Sequence, residues 1–197
     1  MIRLAPERRR SRRLVLASVV RMYDEFEDSL EMSRALLGGN EGASDLWEAN
    51  DYANRALRMR PNDAEAWMLK CQILSALEDD PAALAAAEMA LRRAPRSAEA
   101  HYWRAAVLAD MERYADALKS LERAFRNLGD GDEWLLEDLY YEKGAVLDAI
   151  GRQDEALAVY EAGLKRCPDS QILKAGMEPI RRARQRRIFK VLRGGLS

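Results

Sequence analysis

His101 is the only imidazole in this chain of 197 residues, and Cys71 and Cys167 are its only thiols. Nucleophilic catalysis needs a nucleophile, a base within reach of it and a third group that orients the base. No such set can be built around His101. Its slot is held by Trp67 one repeat earlier, so packing with a satisfied N–H is the expected role. One His and two separated Cys do not make a metal-ligand cluster. Gly38-Gly39 follows a helical pattern rather than a strand, so it is not a phosphate-binding loop. No G-x-S-x-G elbow occurs. No cofactor and no catalysis are expected. The remaining chemistry is that of binding, through carboxylates interleaved with aromatic side chains at helical spacing.

Those side chains need helices to carry them. Nearly half of the residues are apolar (48%). Ala, Leu, Glu and Arg dominate while β-branched residues are scarce, which is an all-helical composition. One small-residue pattern returns at spacings of 34 and 39 residues. It reads Trp67-x2-Lys70-Cys71-x2-Leu74, then Ala83-x3-Ala87, then Pro95. The next copy is His101-x2-Arg104-Ala105-x2-Leu108, Ala117-x3-Leu121, Gly129. The last is Tyr140-x2-Lys143-Gly144-x2-Leu147, Ala156-x3-Tyr160, Pro168. A faded first copy leaves Leu36, Ala49, Ala53, Ala56 and Pro61. Small residues let paired helices approach closely, and larger ones such as Trp67, Leu108 and Tyr160 fill the space around them. Ala90, Ala124 and Gly163 supply a third small slot, where the second helix meets the next pair. Pro61, Pro95 and Pro168 mark helix ends, and Gly129 is expected to end the third unit in left-handed backbone.

The pattern resembles the tetratricopeptide repeat, whose slots are W-x2-L-G-x2-Y, A-x3-F and P. The resemblance implies an all-α, right-handed superhelix of stacked antiparallel helix pairs, with units at 64–97, 98–131 and 137–170 inside a repeat body 63–170. It departs from the family at the slot usually held by Leu, which here carries Lys70, Arg104 and Lys143. Their stems are expected to lie along a half-exposed face. An extra stretch from about Gly129 to Glu133 lengthens one loop. Residues 14–62 read as a long helix plus the faded copy. Leu16, Val19, Tyr23, Phe26, Leu30, Ser33 and Leu37 make one stripe, which either caps the first repeat or pairs with its twin in a homodimer. Residues 171–197 read as a basic capping helix and tail. In that helix Leu173, Met177, Ile180, Ala183, Ile188, Val191 and Leu192 share one side, and Pro179 is expected to kink or restart it.

In the resembled family the first helix of each unit lines a groove that holds a partner peptide or helix. Helical spacing then assigns the groove-facing residues. They are Glu65, Met68, Leu69 and Gln72, then Glu99, Tyr102, Trp103, Ala106 and Asp110, then Asp138, Tyr141, Glu142, Ala145 and Asp148. The set favours a basic protein partner with apolar anchors. Family members that grip chaperone C-termini use cations on the groove. The matching positions here are Met68, Gln72, Trp103, Asp138 and Glu142, so an acidic C-terminus is expected to be repelled.

The net charge of −1 conceals a split. Residues 1–13, a basic tail with Arg8, Arg9, Arg10, Arg12 and Arg13, carry +5. Residues 181–197 carry +7 through Arg181, Arg182, Arg184, Arg186, Arg187, Lys190 and Arg193, which leaves −13 between them. Such ends either fold against the acidic body, meet another copy, or tether the protein to nucleic acid or an anionic membrane. No apolar run is long enough to cross a bilayer and no convincing signal-peptide cleavage site follows Leu14–Val20. The two thiols are expected to stay reduced. A cytoplasmic adaptor or scaffold is the expectation, with a secretion-type chaperone and an Arg-driven tether as alternatives.

Overall fold

The computed structural model describes the backbone of residues 6–39 and 42–194 and the side chains of 22–39 and 42–186. The described residues form helices and turns, with no strand among them. They divide into two compact units, Met1–Pro95 and Arg96–Ser197.

The first unit holds α1 (Pro6–Gly39), α2 (Ala43–Met59), α3 (Ala64–Ala76) and α4 (Asp80–Arg93). Residues 6–13, read from the sequence as tail, are continuous with α1. The α1 stripe packs on α2 and α3: Phe26 and Leu30 are buried with Ala49, Ala53, Ala56, Leu69 and Ile73. Ser33 is fully buried and its hydroxyl donates to the Ala49 carbonyl at 2.9 Å, which satisfies a polar group inside the core. Tyr23 leaves the stripe; it is exposed, with the Arg60 guanidinium 4.4 Å from its ring centre. The same guanidinium covers Phe26 at 3.9 Å. Leu16, Val19 and Arg8 to Arg13 lie outside the described side chains, as do Arg187, Ile188, Lys190, Val191, Leu192 and Arg193.

The second unit holds α5 (Ala98–Asp110), α6 (Tyr114–Asn127), a short 3-10 helix (Glu133–Leu135), α7 (Leu136–Ala149), α8 (Gln153–Arg166) and α9 (Gln171–Gly194). Its packing explains the glycine slots. A Cβ on Gly144 would stand 2.4 Å from Cε1 of the buried Tyr160, and one on Gly163 would stand 2.8 Å from Tyr140 Cβ and Leu173 Cδ1. The α7–α8 pair therefore closes around Tyr160, and α8 meets α9 where Gly163 leaves room. Leu173, Met177 and Ile180 of α9 join Leu147, Ala156, Leu157 and Tyr160 in one cluster. The helix runs through Pro179 rather than restarting there. Its basic side folds back on α8, with Arg181 at 3.0 Å from Glu161 and Arg184 at 3.7 Å from Asp154.

Helix ends follow local chemistry. Asp63, Asp79 and Ser97 accept from the backbone N–H three residues on, at 2.9, 3.2 and 3.1 Å. The turn inside each pair is the same device repeated. Glu78, Glu112 and Gly151 take φ of 60°, 58° and 80°. The following N–H returns to the helix, to Leu74, Leu108 and Leu147 carbonyls at 2.9, 2.8 and 2.9 Å. Gly129 does not have the left-handed conformation expected of it; α6 ends at Asn127 and Gly131 supplies the positive φ, 107°. The N–H of Gly129 instead donates to Asp132 Oδ2 at 2.9 Å, because the inserted residues form a turn of their own.

Candidate functional site

In the second unit, ten of the residues expected to line a groove stand on two helices that meet, five on α5 and five on α7. From α5, the Tyr102 and Trp103 rings meet edge to face with centres 5.2 Å apart. Trp103 Nε1 points its N–H at Glu99 Oε1, 3.4 Å away. Both residues are half-buried. From α7, Tyr141 is 38% exposed and leans on buried Tyr160, ring centres 6.4 Å apart. Ala106 and Ala145 are small and half-buried. Asp148 accepts from Gln153 Nε2 at 3.2 Å, so it is tied to α8.

The acidic part of this wall is electrostatically loaded. Glu142 is half-buried, and that burial pushes its carboxyl up to about 7, with Asp110 and Asp138 adding to the shift. Asp138 is raised by burial and by neighbouring Glu137. The Tyr102 phenol is pushed well above its ordinary value by burial first, then by Asp138, Glu142 and Asp110. Tyr160 rises to about 12 through burial, with Tyr141, Asp148 and Glu142 contributing.

The cations of the two helices are turned elsewhere. Arg104 on α5 donates to Ser120 Oγ on α6 at 2.6 Å. Lys143 on α7 lies 5.6 Å from the centre of the Phe125 ring, also on α6. In the first unit Lys70 does the same, reaching Asn54 Oδ1 on α2 at 2.6 Å. The slot that departs from the family pattern thus sends each charge toward a second helix, where its stem is covered and its head is partnered.

The α3 residues belong to the first unit and differ from one another. Met68 and Gln72 are half-buried, and Glu65 is exposed and ion-paired with Arg34 of α1. Leu69 does not face a groove; it is 4% exposed in the core with Phe26 and Ile73. Helical spacing put it beside Met68, but α1 covers that side. Trp134, at 58% exposed, was not singled out by the sequence; it stands in the 3-10 turn that the insertion creates, and only the broken spacing hinted at it.

His101 is 5% exposed on α5, as packing requires. Cys71 is fully buried and its thiol is pushed up to about 12 by burial, against a smaller opposing effect of a backbone hydrogen bond involving Ala87. Both cysteines are free thiols. Among the described residues no group of His, Cys, Asp and Glu is placed to hold a metal ion, and no helix is long and apolar enough to cross a membrane.

A tetratricopeptide repeat family model matches residues 72–132 and 107–171. The chain belongs to the tetratricopeptide repeat family. Solved structures agree with that fold. The chain is similar to the crystal structure of MamA at 20% identity and TM-score 0.61, over 72% of this chain and 80% of that one. A second MamA protein structure aligns at 18% identity and TM-score 0.65, covering 85% and 87%. YrrB, described as a TPR protein with an unusual peptide-binding site, aligns at 22% identity and TM-score 0.58, covering 80% and 76%. No curated protein matches the chain. The repeat family accounts for the helix pairs and the small slots between them.

Proposed function

We propose that this tetratricopeptide repeat protein is an interaction scaffold whose working surface is the α5–α7 wall, and that it takes a basic peptide or helix with apolar anchors. The observation that carries the reading is the combination of Tyr102, Trp103 and Tyr141 with Asp138 and Glu142, beside helices whose own cations face α6. Aromatic side chains give large contact area at small entropy cost and are common anchors of interfaces. Carboxylates beside them select a partner of opposite charge and speed its approach. The family membership supports a protein or peptide partner.

The test uses a short labelled peptide of repeating Leu-Lys-Lys-Leu, acetylated at its N-terminus, and the full chain. Submicromolar to micromolar binding is expected, weakened at least tenfold in a Trp103→Ala, Tyr141→Ala variant, since two anchors at about 1–2 kcal/mol each are lost. An acidic C-terminal peptide of equal length should not bind. Equal affinity of both proteins for the basic peptide, or tight binding of the acidic one, would remove this surface from consideration.

A further inference from the structure

We propose that the cavity at the inserted loop, between the end of α6 and the start of α7, docks the arginine-rich N-terminal segment of a second copy of this chain, so that copies associate head to tail. The site uses none of the residues of the α5–α7 wall.

The insertion builds a cavity of its own. Its volume is about 320 Å³, at the lower end of the about 300–1,000 Å³ of binding pockets. The apolar part of the lining is Phe125 and Leu128, where α6 ends, and Leu136, where α7 begins. The Phe125 ring is held edge to face by Tyr140, with ring centres 5.0 Å apart. Two hydrogen bonds fix the loop: Gly129 N–H donates to Asp132 Oδ2 at 2.9 Å, and Gly131 N–H donates to Glu133 Oε2 at 3.0 Å. Trp134 comes next in the chain after the lining residue Glu133 and is 58% exposed. Tryptophan is among the side chains most enriched at the energetic centre of interfaces.

Charge selects the occupant. Asp130, Asp132 and Glu133 line the cavity against one cation, Arg166. The complement is a cationic segment with large apolar side chains beside the charge. This chain carries one: residues 1–13 hold six Arg against Glu7, and Leu14-Val15-Leu16 follow. The other basic end is engaged within its own unit, where Arg181 and Arg184 pair with Glu161 and Asp154 of α8. In the first unit α1 is anchored in the core from Phe26 onward, and about 20 Å of helix, at 1.5 Å per residue, separates Arg13 from that anchor. Cavity and arm are different surfaces, so the contact is heterologous and each copy offers one of each. One cavity and one exposed ring make a small interface, so the association is weak and salt-sensitive.

The experiment is sedimentation velocity on the full chain at rising micromolar concentration. The average mass should climb above that of a monomer at low salt and fall back at high salt. Trp134→Ala and, separately, Asp130→Lys should stay monomeric, as should an Arg12→Glu, Arg13→Glu variant. The decisive sample mixes the Trp134→Ala protein, whose arm is intact, with the Arg12→Glu, Arg13→Glu protein, whose cavity is intact. Neither associates alone, and the mixture should form a dimer and stop there, because one productive contact remains. A labelled peptide of residues 1–20 should bind the full chain and lose about tenfold or more in affinity with Trp134→Ala, but not with Trp103→Ala, Tyr141→Ala. A parent that is monomeric at high micromolar concentration, a mixture that stays monomeric, or assembly that survives both Trp134→Ala and Asp130→Lys overturns the head-to-tail contact. Pairing of twin α1 stripes would give that last result. Loss of the peptide in the Trp103→Ala, Tyr141→Ala variant instead overturns the cavity as its seat and leaves the α5–α7 wall standing.

Discussion

Replacing Glu142 by Gln should make the protein more stable wherever the carboxyl of the unfolded chain is ionised, that is above its ordinary value of 4.5. The group is raised from 4.5 to about 7 by burial and by Asp110 and Asp138. Each unit of difference between folded and unfolded states corresponds to about 1.4 kcal/mol, so the folded chain carries a penalty of about 3 kcal/mol at pH 8. The sign is that of a raised acid. Below pH 4.5 both states hold the proton and there is no penalty. From there to about pH 7 the folded state binds the extra proton and stability falls as pH rises. Above pH 7 the penalty is constant. Gln keeps the shape without the charge, so the variant should gain about 3 kcal/mol at pH 8 and nothing near pH 4.5. For a chain of this size that is about 6–12 °C in midpoint temperature. Urea melts of both proteins across this range, followed by far-ultraviolet circular dichroism, measure the difference directly. A carbon-13 titration of the Glu142 carboxyl gives its midpoint independently. A midpoint near the ordinary value, or a variant no more stable than the parent at pH 8, would refute the burial argument.

Gly144→Ala should destabilise by about 1–3 kcal/mol, because the new methyl meets the Tyr160 ring at 2.4 Å in a packed core; a Tyr160→Leu background should reduce that cost in a double-mutant cycle of thermal melts. Cys71 should resist thiol reagents at pH 8 in the native protein and react only on unfolding, since it is fully buried with its thiol pushed up to about 12, whereas half-buried Cys167 should react measurably faster. Glu112→Gly should raise the midpoint temperature slightly, by relief of a non-glycine residue held at φ 58°, worth about 0.5–1 kcal/mol; a clear loss of stability would show that the Glu side chain matters to the turn.

The repeat architecture was legible because it depends on residue volume at fixed spacing. Ala83, Ala117 and Ala156 recur where helices touch, and each is fully buried. Gly144 and Gly163 recur where a methyl has no room. The αL turns were half legible. Gly151 has the residue type that favours such a turn, though the spacing argument did not use it, and Glu78 and Glu112 hold the same backbone, which chain geometry imposes against local preference. Gly129 misled for the complementary reason: a glycine marks a possible turn, and the inserted residues put the bend at Gly131.

The sequence determined which residues stand on the first helix of each pair, since that needs only a period of 3.6 residues and the position of the small slots. It could not decide how deeply each one sinks. Leu69 and Met68 are adjacent, yet the first is buried in the core and the second only half-buried. Asp110 and Glu142 are thirty-two residues apart and act on each other only because α5 and α7 meet. Desolvation and the separation of like charges are properties of packed helices, not of a string of letters. A glutamate that titrates near neutrality exists only once the chain has folded around it.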